Sequence, residues 1–148
     1  MKMSEVMTRH VEFIAPDALV REAAELMGEL DVGALPVGGP DDLRGVVTDR
    51  DLLYRVVAEG RDASVVRVAE VLTNPAITCR EDDEAQTALD LMAAHHIRRL
   101  AVRDAAGRVS GWVTLADLSR RLLLDNPSLQ EALRALTETR PAKDRAPR

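Results

Sequence analysis

Apolar positions along the chain form short runs and helical stripes that recur twice in the same order. Val11 to Ile14 reads as a first strand, and Ala76 to Cys79 reads as its counterpart. Pro16-Asp17 and Asp82-Asp83 then supply helix-start chemistry, because acids are favoured at the positive end of a helix dipole. The helix predicted over about Asp17 to Leu30 carries Leu19/Val20, Ala23, Met27 and Leu30. The one over about Asp83 to His95 carries Ala85, Ala88/Leu89 and Met92. Both follow the three-to-four spacing of one buried face. Two strands come next in each copy, Gly33 to Val37 and Val46-Val47, then Arg98 to Val102 and Val109 to Val113. A Gly- or Asp-rich turn joins each pair. A second helix closes each copy, Asp49 to Glu59 and Leu115 to Leu124. The plan is mixed α/β (α+β), with the order βαββα occurring twice.

Residue identities tie the two copies together. Val6-Met7-Thr8 lies over Val71-Leu72-Thr73, and the same register sets Ala23 on Ala88, Met27 on Met92, Val32 on Ile97, Leu35 on Leu100 and Val37 on Val102. One residue is inserted between Val102 and Gly111, where Asp104 to Gly107 reads as a hairpin turn that tolerates insertion. Beyond it Gly45-Val46-Val47-Thr48 falls on Gly111-Trp112-Val113-Thr114, and Asp51-Leu52 on Asp117-Leu118. A single copy of about 60 residues buries too little surface to stand comfortably alone. Two copies packed face to face about a pseudo-twofold axis meet that need. The chain divides accordingly into repeat 1 (1–60), a linker (61–70) with Ser64 as a short helix N-cap, repeat 2 (71–124), and a C-terminal helix and frayed tail (125–148). Asn126-Pro127-Ser128 breaks the chain and starts that helix. Leu129, Ala132, Leu133 and Leu136 form its stripe, which can pack on the body or on a partner subunit, the body being the expectation.

Composition narrows the class. Of 148 residues 46% are hydrophobic and 30% charged, an ordinary globular balance, while aromatics are 2%, so Leu, Val, Ala and Met must build the core. The net charge of −5 and the scarcity of aromatic platforms argue against duplex and single-stranded nucleic acid alike. No apolar run approaches the roughly 20 residues that span a bilayer. The opening Met1-Lys2-Met3-Ser4-Glu5 lacks a signal-peptide core, so the expected location is cytoplasmic. Cys79 is the one cysteine, which excludes an intrachain disulfide and a cysteine zinc cluster, and it reads as a small buried hydrophobe. His95-His96 suits a helix C-terminus, His10 reads as surface, and neither has the companions of a metal site. Phosphate-loop, nucleophile-elbow and zinc-protease motifs are absent, so an enzyme is the least supported class and no cofactor is expected.

Each copy ends in Gly-apolar-apolar-Thr-x-x-Asp: Gly45-Val46-Val47-Thr48-Asp49-Arg50-Asp51, and Gly111-Trp112-Val113-Thr114-Leu115-Ala116-Asp117. With the strands Val32 to Val37 and His96 to Val102, this pattern resembles a tandem CBS-domain pair (a Bateman module) over roughly Val6 to Leu124. The resemblance implies a regulatory module that binds an adenosine-containing ligand (AMP, ADP, ATP, S-adenosylmethionine or NAD) between its repeats. It also implies a disc-like homodimer. With no catalytic or transport domain attached, regulation of an unknown partner would act in trans. The alternative is a ligand-free dimerisation and interaction scaffold.

Two readings of Thr-x-x-Asp stay open. A strand running into a helix offers free backbone N–H groups to a phosphate; Thr48 or Thr114 adds a hydroxyl, and Asp51 or Asp117 can accept from both ribose hydroxyls. The same spacing is also close to a capping box that needs no ligand. Carried over from the family, one cleft joins Thr114, Asp117 and Trp112 to Val32, Gly33 and Ala34, with Thr8 nearby. Trp112 either stacks on a base or fills the space. The other joins Thr48, Asp51, Arg50 and Val46 to Ile97, Arg98 and Arg99, with Thr73 nearby; the arginines either neutralise phosphate or pair within the chain. Of the two, the first cleft is the better candidate to be open. Ala101 and Phe13 depart from the Pro and Thr frequent at those family positions.

Overall fold

A computed structural model describes residues 1–124 and 127–137. In chain order it has α1 (Met3–Val6), α2 (Val20–Leu30), β1 (Ala34–Gly39), β2 (Asp42–Thr48), α3 (Asp49–Leu52, running on as a π-type turn over Leu53–Val57) and a 3₁₀ turn (Val68–Glu70). β3 (Thr78–Arg80), α4 (Ala85–His95), β4 (Arg99–Arg103), β5 (Val109–Thr114), α5 (Leu115–Leu123) and α6 (Pro127–Thr137) follow. β1 and β2 form an antiparallel pair. In the other sheet β3 runs parallel to β4, and β4 antiparallel to β5.

The expected strand Val11 to Ile14 does not form, and proline is the reason. Ile14 N donates to the Pro36 carbonyl (3.0 Å) and the Ile14 carbonyl accepts from Gly38 N (2.9 Å), a single bridge. The next ladder donor would be residue 16, a proline with no N–H. At the matching place in the second repeat Glu81 N donates to the Arg103 carbonyl (3.0 Å), and β3 forms.

The acids placed at the helix starts also act elsewhere. α2 begins three residues after Asp17, with the Glu22 carboxylate accepting from Leu19 N (2.8 Å). Asp83 accepts from Arg80 N (2.8 Å), closing a turn ahead of α4. The helix expected over Asp49 to Glu59 is α-helical only to Leu52 before it widens. Ser64 caps no helix: its amide and hydroxyl both donate to Asp62, and these bonds hold that carboxyl below its usual range. In α6, Ala132 is exposed and Leu136 is 84% exposed, so this part of the stripe does not pack on the body. Asn126, the side chains of Leu129 and Leu133, and the tail from Arg140 lie outside the described residues.

The two cores do not divide where the repeats do. Ile14, Val20, Ala23, Met27, Leu35, Val37, Val47 and Val56 of the first repeat pack with Val66, Val68 and Val71. Cys79, Ala85, Ala88, Met92, Leu100, Val102, Val113 and Leu118 of the second pack with Met3 and Met7. The opening segments are therefore exchanged, and the backbone shows the exchange to be symmetric. Met3 N and Ser4 N donate to the Asp83 and Glu81 carbonyls (both 3.0 Å); Val68 N and Ala69 N donate to those of Ala18 and Pro16 (both 2.8 Å). Thr8 and Trp112 exchange backbone bonds (2.8 and 2.9 Å), as do Thr73 and Val46 (2.8 and 2.9 Å).

Glycine is required where an exchanged segment crosses β2. A Cβ on Gly45 would fall inside the contact shell of the Thr73 carbonyl oxygen and 2.7 Å from Leu72 Cδ1. Gly45→Ala is expected to lower stability by about 1–3 kcal/mol, the usual cost of overpacking. Denaturant unfolding at an unchanged m-value checks it, and a variant as stable as wild type would mean the crossing gives way freely.

Candidate functional site

Two clefts lie between the repeats. The first, ≈ 630 Å³, sits at the start of α3, and its lining includes Val46, Thr48, Arg50, Asp51, Thr73, Ile97, Arg98 and Arg99. The second, ≈ 870 Å³, sits at the start of α5, and its lining includes Thr8, Val32, Gly33, Ala34, Trp112, Thr114 and Asp117. Both volumes fall in the range of small-molecule sites. Within each repeat one backbone bond ties the start of the closing helix to the segment before the first strand of the hairpin: Asp49 N to the Gly33 carbonyl (2.9 Å), and Leu115 N to the Arg98 carbonyl (2.7 Å).

Both Thr-x-x-Asp segments form capping boxes. Asp51 N donates to Thr48 Oγ1 (3.0 Å) while Thr48 N donates to Asp51 Oδ2 (2.9 Å). Asp117 N donates to Thr114 Oγ1 (3.1 Å) and Thr114 N to Asp117 Oδ2 (3.1 Å). An ionised carboxylate has about four acceptor positions, so the cap leaves room for further donors. What fills that room differs. Asp51, 8% exposed, accepts from Thr73 Oγ1 (3.1 Å to Oδ1), with Arg55 Nε at 3.9 Å. Asp117 accepts from Arg120 Nη2 (2.7 Å), a side chain 73% exposed.

Arg98, Arg99 and Trp112 line both cavities, whereas the sequence placed the arginines in one and the indole in the other. The ladder explains this: β5 pairs with β4, Ala101 opposite Trp112, and the two strands with the residue before β4 form a partition open on both sides. Burial pushes the Arg99 guanidinium down from its usual value, opposed by the nearby Asp49 carboxylate. A guanidinium so shifted still carries its charge at neutral pH.

Reasoning from the sequence missed Asp49, Tyr54, Arg55 and His96 in the α3 cleft, and His10, Asp31 and Arg120 in the α5 cleft. A signal existed for two of them. Arg55 stands four residues after Asp51 and Arg120 three after Asp117, the spacings at which helical side chains meet. Asp31 and His96 end α2 and α4 in the left-handed region (φ 54° and 53°), and that turn carries each into a cleft mouth. Arg50 is held over the Tyr54 ring (5.4 Å to its centroid). His10 is exposed and contacts Glu12 (2.6 Å).

Elsewhere the chemistry is quiet. Cys79 is 3% exposed, and burial pushes its thiol up to about 12, so it packs as a neutral small side chain. Among the described residues no three His, Cys, Asp or Glu side chains gather into a metal-binding group, and no helix is long and apolar enough to cross a membrane.

Comparison with known proteins fits this architecture. The family model of the CBS domain matches twice, over residues 3–58 and 68–124. The CBS domain-containing protein YhcV of Bacillus subtilis (strain 168) is 38% identical over 117 residues, 79% of this chain and 82% of YhcV. A solved CBS-domain protein from Burkholderia ambifaria MC40-6 superposes with a TM-score of 0.74 at 30% identity, covering 80% of this chain and 86% of that one. The CBS domain pair of protein MJ0100, solved in complex with 5′-methylthioadenosine and S-adenosyl-L-methionine, shares the fold with a TM-score of 0.73 at 23% identity, covering 82% and 95%. Two matching repeats, exchanged opening segments and a Thr-x-x-Asp cap at each cleft make this chain a member of the CBS-domain family, a tandem CBS pair.

Proposed function

We propose that this CBS pair is a regulatory ligand-sensing module of the cytoplasm. Its clefts take an adenosine-containing ligand (AMP, ADP, ATP, S-adenosylmethionine or NAD), and occupancy changes its action on a separate protein. The observation that carries the reading is the composite build of each cleft. A Thr/Asp pair from one repeat faces a strand of the other, so a ligand touching both bears on the geometry between repeats. It shifts that geometry only by its difference in affinity for the two arrangements. Val32, Gly33 and Ala34 leave space for a flat base, and the arginines of the partition supply charge for phosphate. In fold alone, the MJ0100 pair offers a precedent for adenosine-containing ligands. We place a second copy of the chain against the helices, where Leu53, Tyr54, Val57, Leu122 and Leu124 are exposed.

One observation favours a ligand-free scaffold instead. Asp51 is already engaged by Thr48 and Thr73, and among the described residues no buried side-chain polar atom lacks a partner. The acid of the α3 cleft is thus satisfied by the protein's own groups. A thermal-shift titration with each candidate ligand separates the readings. At about a hundred times its dissociation constant a ligand adds about 2.7 kcal/mol, a rise of roughly 5–10 °C for a chain of this size. A saturable rise with one ligand is the expected result. No rise with any, on a folded dimer, overturns the sensor reading and leaves the scaffold.

A further inference from the structure

The clefts differ in what occupies the acid that follows the threonine. In the α3 cleft Thr73, a neutral hydroxyl on a short side chain, donates to Asp51. In the α5 cleft the donor to Asp117 is Arg120, a long, exposed cation on the same helix (2.7 Å). Three residues after Asp51 the chain has Tyr54. The nearest cation on that helix is Arg55, whose Nε stands 3.9 Å from Asp51 while its Nη1 donates to the Val71 and Leu72 carbonyls, so it is held by the framework where Arg120 is not.

We propose that Arg120 determines the ligand class of the α5 cleft, pairing with Asp117 when the cleft is empty and with an anionic group of the ligand when it is filled. The assignment rests on the sensor reading above. A ribose diol that hydrogen-bonds Asp117 takes over the acceptor Arg120 now uses. An exposed ion pair is weak, so releasing Arg120 costs little. A released guanidinium then has two fates. With a neutral nucleoside it returns to water. With a phosphorylated or carboxylated ligand it finds a forked partner, which guanidinium geometry matches well. Arg120 therefore disfavours uncharged nucleosides slightly and favours their anionic relatives more strongly. Arg98 and Arg99 line the same cleft and add positive charge, but they sit on the partition and serve both cavities; Arg120 belongs to this one.

The test is calorimetric titration of AMP and of adenosine into the wild type, Arg120→Gln and Asp117→Asn. Gln retains part of the aliphatic stem and removes the charge; the exposure of Arg120 lets the variant fold as the wild type does. The wild type is expected to bind AMP more tightly than adenosine. Arg120→Gln should lower that ratio roughly tenfold, by weakening AMP while adenosine holds or tightens. Asp117→Asn should weaken both ligands alike and keep the ratio. A ratio unchanged in Arg120→Gln, or falling equally in Asp117→Asn, overturns the role of Arg120 and leaves the sensor reading in place. A wild type that binds neither ligand, nor any other adenosine-containing one, overturns the sensor reading and this assignment with it.

Discussion

Met3→Ala is expected to destabilise the protein by about 2–5 kcal/mol, the cost of truncating a buried methionine, and to loosen the second half of the chain rather than the first. Met3 is fully buried and packs among Ala85, Ala88, Leu100, Val113 and Leu118, although it lies at the head of the first repeat. The cavity left by truncation opens in that core. Native-state hydrogen exchange reads the location: the amides of Leu100, Val102 and Val113 should lose protection before those of Leu35, Val37 and Val47. Val68→Ala is the symmetric control. Val68 is buried in the first core, so its truncation should reverse the order at a smaller cost, since fewer atoms are removed. If Met3→Ala loosened the strands of the first repeat instead, the exchange of opening segments would be wrong.

Asp51→Ala and Asp117→Ala should differ sharply, although the two acids stand in the same motif. Removing the Asp51 carboxylate takes away the reach-back bond of the cap and leaves the Thr73 hydroxyl and the Arg55 guanidinium without that partner, at a place 8% exposed. Hydrogen bonds to a charged group contribute about 1.5–3 kcal/mol each when buried. With the cap included, a total loss of about 2–4 kcal/mol is expected. Asp117→Ala loses the same reach-back bond and an exposed pair with Arg120, about 1 kcal/mol altogether. Urea unfolding of both variants decides the matter, and equal losses would show that the Thr73 contact adds nothing. The same comparison selects the variant for binding work: Asp117→Ala probes a cleft, whereas Asp51→Ala disturbs the framework as well.

Much of this molecule was legible in its sequence. The repeat, the βββ-with-helices plan of the second half and the faces of α2 and α4 followed from apolar spacing, because core-facing positions must be apolar wherever they pack; Leu30, also placed on the α2 face, is instead 39% exposed. What escaped has identifiable causes. Pro16 removes one ladder donor, and the strand of the first repeat vanishes with it. α1 is four residues long, too short to show a period. The widened turn after Leu52 leaves no trace in the pattern, since Val56 is buried in it just as a regular helix would require. The segment exchange was hidden by symmetry: Met3 and Val68 are both apolar, and either suits either core. Within the clefts, the motif located Thr48, Asp51, Thr114 and Asp117, but their second partners come from tertiary contact and from one helical turn further on. Thr73 and Arg120 make two identical spacings into different chemistry.

The exchange of opening segments also bears on how such a chain can have arisen. A lone repeat would present a core with a gap where Met3 or Val68 belongs, and the residue able to fill it would be carried on its own leading segment, directed outward. Two separate copies could complete each other by trading those segments, which is a domain-swapped dimer. Tandem duplication joins the traders in one polypeptide and turns capture between molecules into closure of a loop, at an effective concentration of about millimolar for a short flexible connection. Dilution can then no longer part the halves. An interface of that kind becomes an interior, and the clefts along its margin stay assembled however scarce the protein is.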